Sequence, residues 1–135
     1  MKKIFHHICI QSNVYEKSLE FYTKIMEFNI AKESENFHNR AYNTWLELNN
    51  FFIELQTNKK DEALIKFNKN NSGLVHFCIY VEDINIEYER IKKLGFKNFK
   101  EKDGKDIYKV EDGFLFKLIA PEGTIIEIRD SWNII

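Results

Sequence analysis

The apolar and polar residues of the first half of the chain follow two different periods, which predict strands around one helix. Residues 14–27 carry apolar side chains three to four positions apart, as an amphipathic helix does, and Asn13 is the expected N-cap. The apolar runs predict strands at residues 4–11, 28–31, 41–48 and 51–57. The first of these is apolar on both faces and is expected to be central in its sheet.

Two connecting segments of this half are predicted from their own residues. Residues 32–40 are mostly polar and predict a loop or an edge strand. Asn49 and Asn50 tolerate positive φ angles, so residues 41–48 and 51–57 are expected to pair as a hairpin.

The second half of the chain repeats the pattern of the first. Residues 58–73 are rich in lysine and asparagine and form a predicted linker. After it come a predicted strand, a helix at residues 83–94 ended by Gly95, and further extended segments. The extended segments of this half are residues 74–81, 96–99, 106–111, 115–120 and 124–129.

Aligning the two halves on His7 and His76 also aligns Cys9 with Cys78 and helix with helix. This internal repeat predicts an α+β fold of two βαβββ modules, residues 1–57 and 74–135, paired into a cupped mixed sheet. Residues 1–135 are therefore expected to form one domain.

Composition and charge exclude several classes of protein. Of the 135 residues, 44% are hydrophobic, which suits a packed core. Twenty basic and 21 acidic residues give a net charge of -1, which argues against nucleic acid or an anionic membrane as the partner. The sequence predicts neither a signal peptide nor a membrane span. Cys9 and Cys78 lie in apolar strands and are expected to be buried, inert thiols of a reduced, cytoplasmic protein.

Four polar residues stand in the predicted strands, in the order His, Glu, His, Glu. They are His7, Glu54, His76 and Glu127. A buried carboxylate costs several kcal/mol unless it is paired or bound to a metal, and two imidazoles with two carboxylates suit Zn, Ni, Co, Mn or Fe(II). We therefore predict that the four residues bind one divalent metal ion.

A purely structural interpretation of these four residues remains open. Each histidine would be a hydrogen-bonded core residue, while Arg129 would pair with Glu127 and Arg40 with Glu54. His6 is expected to point to the opposite face from His7, as an exposed or structural residue.

Five segments of the chain resemble the vicinal oxygen chelate superfamily, which contains glyoxalases, bleomycin resistance proteins and extradiol dioxygenases. They are residues 7–24, 52–55, 73–77, 81–84 and 120–128. The likeness is greatest to glyoxalase I, whose ligands are His, Glu, His and Glu. The extradiol dioxygenases and the fosfomycin-modifying enzymes have a three-ligand pattern that lacks the carboxylate matching Glu54, and methylmalonyl-CoA epimerases have Gln there.

The resemblance implies isomerisation of a 2-oxoaldehyde–thiol hemithioacetal to a 2-hydroxyacyl thioester, as in methylglyoxal detoxification. It implies Ni, Co or Zn as the metal in preference to Mn or Fe, with Glu127 as the catalytic base and Glu54 as ligand and second base. Asn58 matches a substrate-binding position of glyoxalase I, whereas Gln11 stands where that enzyme has an arginine for a glutathione carboxylate. Family members commonly have an Asp where this chain has Val14 and usually have a Gly where it has Glu27.

Two other functions are alternatives to glyoxalase I-like activity, and the resemblance also implies how the chain assembles. Another metal-dependent enzyme of the superfamily, such as an acyl-thioester epimerase, would use a similar site. A non-catalytic protein that binds a small molecule such as a drug would not need all four ligands. The resemblance implies a small-molecule substrate and a homodimer, with the site built from one chain or from two.

Overall fold

The computed structural model describes residues 1–134, which divide into two compact units. The first unit is Met1–Lys66 and the second begins at Phe67. The elements of the first unit are β1 (His7–Ser12), α1 (Tyr15–Glu20), a π-helical turn (Phe21–Ile25) that continues α1, β2 (Asn29–Phe37), β3 (Arg40–Leu48) and β4 (Phe51–Thr57). Those of the second are β5 (Phe77–Tyr80), α2 (Ile84–Lys93), β6 (Tyr108–Val110), β7 (Gly113–Ile119) and β8 (Ile125–Arg129).

Each unit has the order βαβββ and contains one four-stranded mixed sheet. The strand order is β1-β4-β3-β2 in the first sheet and β5-β8-β7-β6 in the second. In both sheets the first and last strands of the unit run parallel, and the other pairs are antiparallel. The predicted α+β class and the repeated βαβββ module are therefore confirmed.

Buried and partly exposed residues alternate along β4, which distinguishes the two faces of the first sheet. Ile53 and Leu55 are fully buried, whereas Phe52, Glu54 and Gln56 between them are partly exposed. Helix α1 packs against β4. The buried positions thus hold the apolar core, and the intervening positions lie on the opposite face with the polar residues of interest.

The hairpin and edge-strand predictions of the first unit are confirmed. Asn49 and Asn50 have φ of 46° and 66° and connect β3 to β4. The polar stretch after Phe28 forms most of β2, which lies at the edge of the sheet. The expectation of a central first strand is wrong, because within residues 1–134 β1 pairs with β4 alone and lies at the other edge of this sheet.

The ends of the first helix differ from the prediction. Its N-cap is Val14 rather than Asn13, and no side chain caps it. Ser12 instead accepts a hydrogen bond from the Val14 amide at 3.0 Å and contacts Ser18 Oγ at 2.8 Å. After the π-helical turn, Glu27 has φ of 64°, the left-handed conformation that usually favours glycine.

The helix of the second unit follows its sequence signals. Asp83 is the N-cap of α2 and accepts hydrogen bonds from the amides of Asn85 and Ile86 at 2.9 and 3.0 Å. Gly95 follows the helix with φ of 88°. Residues 96–99, predicted to be extended, form one isolated bridge between Phe99 and Leu118 rather than a strand. Within residues 1–134, no helix is long and apolar enough to span a membrane.

Candidate functional site

The first predicted ligand pair lies on the parallel strands β1 and β4. Their register places Cys9 opposite Glu54 and His7 opposite Phe52, so His7 and Glu54 project from the same sheet face. His7 Nε2 lies 3.9 Å from Glu54 Oε1. The Glu54 side chain is 16% exposed, and the His7 side chain is more accessible.

The second pair repeats this arrangement on β5 and β8. Cys78 lies opposite Glu127 in the parallel register, and His76 immediately precedes β5. His76 Nε2 lies 3.6 Å from Glu127 Oε1, and the Glu127 side chain is only 9% exposed. His76 Nδ1 is buried and has no hydrogen-bond partner among the described residues. An imidazole nitrogen is thus left without the partner that burial normally requires.

Both pairs have the donor chemistry and spacing that a divalent metal needs. Two ligands that each lie about 2.1 Å from one ion are themselves about 3–4 Å apart. The separations of 3.9 Å at His7–Glu54 and 3.6 Å at His76–Glu127 fall in this range. Residues 1–134 contain no cluster of three or more His, Cys, Asp or Glu side chains positioned to hold a metal. Each pair therefore has the geometry to supply two ligands of one metal ion. The four-residue site remains a prediction.

The two glutamates differ in their charged neighbours. Glu127 lies 3.9 Å from Lys117 Nζ and 4.0 Å from Arg129 Nη1. Arg129 also lies 3.5 Å from Glu111, and its buried Nε has no partner among the described residues. Arg129 therefore lies close to Glu127, as expected. Together, Lys117 and Arg129 offset part of the free-energy cost of burying the Glu127 carboxylate.

Arg40 does not pair with Glu54, although the sequence suggested that contact. Its Nη1 donates to Gln11 Oε1 and to the Thr57 carbonyl oxygen, both at 2.7 Å. Arg40 begins β3, while Gln11 and Thr57 lie near the ends of β1 and β4. A cation therefore lies beside the Gln11 side chain.

Asn58 has a different environment from Gln11. Its Nδ2 donates to the carbonyl oxygens of Lys59 and Glu62, at 3.1 and 3.0 Å. The amide group therefore stabilises the loop after β4. Its contact with substrate stays a prediction.

The two cysteines are exposed, so the expectation of buried thiols is wrong. They lie on the sheet faces that carry the histidines, with Cys9 directly opposite Glu54 and Cys78 directly opposite Glu127. Partial desolvation of the sulfur, followed by the hydrogen bond and charge of Glu54, raises the pKa of Cys9 to about 12. Desolvation and Glu127 likewise raise the pKa of Cys78 to about 12.

An aromatic cluster surrounds His7 and was not predicted. We use this name for His6, His7, Trp45 and Phe52. The His7 and Trp45 rings meet edge to face at 4.8 Å, and the His6 ring stacks on Phe52 at 5.1 Å. His6 is exposed as expected, but it lies beside His7 rather than on the opposite face, and their Nδ1 atoms are 2.9 Å apart. The feature of the sequence that points to this cluster is the adjacency of His6 and His7.

A separate apolar cavity of about 360 Å³ opens in the first unit. Its lining residues are Val14, Tyr15, Glu16, Lys17, Ala41, Tyr42 and Thr57. The Tyr15 and Tyr42 rings stack nearly parallel, with centroids 5.0 Å apart. No predicted metal ligand lines this cavity, so it is distinct from the two His–Glu pairs.

Comparison with solved structures supports the same fold. A glyoxalase family protein from Enterococcus faecalis is 20% identical with a TM-score of 0.69, covering 95% of this chain and 97% of that chain. The trypanothione-dependent glyoxalase I of Leishmania major is 20% identical with a TM-score of 0.67, covering 94% and 86%. The fosfomycin resistance protein FosX of Listeria monocytogenes is 16% identical with a TM-score of 0.71, covering 97% and 93%.

Comparison at the level of sequence identifies the family. Curated protein sequences gave no significant match. In contrast, the profile of one protein family matches residues 4–114, which include β1 to β6 and three of the four predicted ligands. The chain therefore belongs to the Glyoxalase/Bleomycin resistance protein/Dioxygenase superfamily.

Proposed function

We propose that this protein is a metal-dependent, glyoxalase I-like lyase or isomerase. It would convert a 2-oxoaldehyde–thiol hemithioacetal to a 2-hydroxyacyl thioester. The observation that carries the proposal is the repetition of one His–Glu pair in both modules, with nitrogen–oxygen distances of 3.9 and 3.6 Å. A binding protein has no need for two such pairs in matching positions.

In this proposal His7, Glu54, His76 and Glu127 hold one divalent ion, with Ni, Co or Zn preferred. The ion, when bound, would supply Lewis acidity that polarises the two neighbouring oxygens of the substrate. Support comes from the donor types and from the geometry of both modules, in which the Nε2 atom of each histidine lies within 4 Å of its glutamate. One structural relative, a mutant form of FosX, is described in complex with Mn(II).

The proton transfer is assigned to Glu127. Its carboxylate would take the proton from the carbon that bears sulfur and return it to the adjacent carbon, while the hydroxyl proton passes from the oxygen on the first carbon to the oxygen on the second, so that the product is an isomer of the substrate. Glu127 suits this step because its side chain is 9% exposed and therefore largely shielded from bulk water. Glu54 is the second candidate, since it occupies the same position in the other module.

Arg40 bears on the identity of the thiol. The arginine expected for a glutathione carboxylate is replaced by Gln11, but Arg40 Nη1 contacts the Gln11 side chain at 2.7 Å. We therefore propose that an anionic thiol carrier is bound at this end of β1, with Arg40 as its cation. Asn58 would then contribute to binding of this carrier by holding the loop after β4 in position.

A second candidate function is non-catalytic binding of a small molecule. The observation that favours it is the position of Lys117 and Arg129, which satisfy the Glu127 charge without a metal. A third, epimerisation of an acyl thioester, would use the same residues. We also propose a homodimer, which sedimentation of the purified protein would detect.

The first experiment is to measure the metal content of the purified protein. The chain would then be reloaded separately with Ni, Co, Zn and Mn and assayed with methylglyoxal and several thiols. About one metal per chain, with thioester formation restored by Ni, Co or Zn, would support the proposal. Bound metal without thioester formation would favour another enzyme of the superfamily. Failure to bind any metal would contradict the proposed enzyme and favour the binding protein.

A further inference from the structure

We propose that His6 is a positioning residue for His7. In this arrangement His6 Nδ1 accepts a hydrogen bond from the Nδ1–H of His7, which leaves the Nε2 lone pair of His7 on the side of Glu54. This inference deepens the proposed function and rests on it, because it concerns how one predicted metal ligand is oriented.

The first observation is the contact between the two imidazole rings. Their Nδ1 atoms are 2.9 Å apart, which is a hydrogen-bond distance. A neutral imidazole has one protonated and one unprotonated nitrogen, so this contact requires a proton on one Nδ1 and a lone pair on the other. The His7 nitrogen nearest to Glu54 is Nε2, at 3.9 Å, and this distance is too long for a hydrogen bond.

The direction of the bond follows from the chemistry of a metal-binding imidazole. A ring that binds through Nε2 must carry its proton on Nδ1, and that N–H is usually held by a neighbouring acceptor. His6 Nδ1 is positioned to be this acceptor. The alternative direction would protonate Nε2 of His7 and remove its capacity to bind a cation.

The second observation is that His6 is itself held in place. Its ring stacks on Phe52 at 5.1 Å, with an interplanar angle of 21°, and meets Trp45 edge to face at 6.1 Å. Its carbonyl oxygen accepts a hydrogen bond from the Phe52 amide at 3.3 Å. An acceptor fixed by both backbone and ring packing can orient the neighbouring imidazole.

The second module provides an internal comparison. Val75 precedes His76 as His6 precedes His7, and valine has no side-chain acceptor. The corresponding nitrogen, His76 Nδ1, is buried without a partner among the described residues. The repeat therefore contains one histidine whose Nδ1 has a side-chain partner and one whose Nδ1 lacks it.

The test compares His6→Phe with His6→Gln in the full-length protein. Phenylalanine retains a ring against Phe52 and Trp45 but removes the acceptor, whereas glutamine restores an acceptor oxygen. Val75→Phe is the matched control, since it places a phenylalanine beside His76, whose Nδ1 has no hydrogen-bond partner among the described residues. Zinc affinity is measured by competition with a chelator, and imidazole nitrogen shifts are measured by NMR in the metal-free protein.

We expect His6→Phe to weaken zinc binding about tenfold or more, which is the usual effect of removing such a partner. His6→Gln should recover most of the affinity, and Val75→Phe should leave it unchanged. The metal-free wild type should show the His7 proton on Nδ1, and His6→Phe should change that pattern.

Two results would overturn the inference: wild-type zinc affinity in His6→Phe, or a proton on Nε2 of His7 in the metal-free wild type. A protein that binds no zinc but shows the expected His7 tautomer would contradict the proposed function and support the positioning by His6.

Discussion

Lys117 Nζ lies 3.9 Å from Glu127 Oε1, and the two residues face each other in the antiparallel register of β7 and β8. The ammonium group therefore occupies space and charge beside an oxygen that is proposed to bind a metal. Like charges about 4 Å apart repel by about 1 kcal/mol even in bulk water, and by more where the site is shielded from water. Lys117→Met should accordingly tighten zinc binding by about fivefold or more, measured by chelator competition. Lys109→Met on β6, an exposed lysine, is the control; weaker binding in Lys117→Met would show that the lysine supports the site.

The assignment of the base is tested by Glu127→Gln. Glutamine keeps the size and the carbonyl oxygen of the side chain but cannot accept the proton, so kcat should fall by about 100-fold or more. Metal content, measured in parallel, should be largely retained. Glu54→Gln is the matched variant in the other module and should reduce kcat less. An unchanged rate in Glu127→Gln would remove this residue from the reaction.

The proposed single ion is tested by His7→Ala and His76→Ala. If the four residues bind one ion, either substitution should lower the metal content far below one per chain, because each opens the same shell. If the two pairs bind independently, each variant should lose only its own ion. His38→Ala, in the turn between β2 and β3, serves as the control. Full metal occupancy in His76→Ala would contradict the four-residue site.

Glu27 offers a stability prediction at the end of the first helix. Its φ of 64° is unfavourable for any residue with a Cβ and costs about 1 kcal/mol relative to glycine. Glu27→Gly should therefore raise the free energy of unfolding by up to about 1 kcal/mol, measured by urea denaturation. Glu27→Ala retains the Cβ and should show no comparable gain. Equal effects of the two substitutions would mean that the side chain, and not the backbone, determines the change.

Tyr88 gives a pH-dependent prediction. Partial burial, followed by the hydrogen bond and charge of Asp106, raises the pKa of Tyr88 from 10.0 to about 12. The phenol donates to Asp106 Oδ2 at 2.6 Å. Because the folded state favours the protonated phenol, its contribution to stability is complete below pH 10 and is lost as the pH rises to about 12.

Ultraviolet absorbance of the folded protein should show delayed ionisation of a tyrosine that disappears in Tyr88→Phe. The variant should also lose less stability than the wild type between pH 10 and 12. Identical absorbance titrations in the two proteins would contradict the raised pKa.

The two modules were predictable because the alternation of apolar and polar residues and the repeat of the first half in the second are both visible in the sequence. His7 begins β1, His76 immediately precedes the equivalent strand β5, and the apolar neighbours of Glu54 and Glu127 define the buried faces of β4 and β8. The hairpin at Asn49 was predictable for a local reason, since asparagine accepts positive φ.

The errors concern features that local sequence does not determine. His6 precedes β1, so strand alternation does not fix the direction of its ring. The exposure of Cys9 depends on which sheet face is covered, and its apolar neighbours do not carry that information. The partner of Arg40 depends on how the ends of β1 and β4 meet the start of β3. Each requires knowledge of tertiary neighbours.

The parallel pairing of the first and last strands of each module has a consequence for how the family can diversify. His7 and Glu54 are brought together by strands at opposite ends of the module, while α1, β2 and β3 lie between them in sequence. Insertions or deletions at the 37–40 turn leave the β1–β4 register unchanged. A module of this kind can therefore vary the length and sequence of this loop while the distance between His7 and Glu54 stays constant.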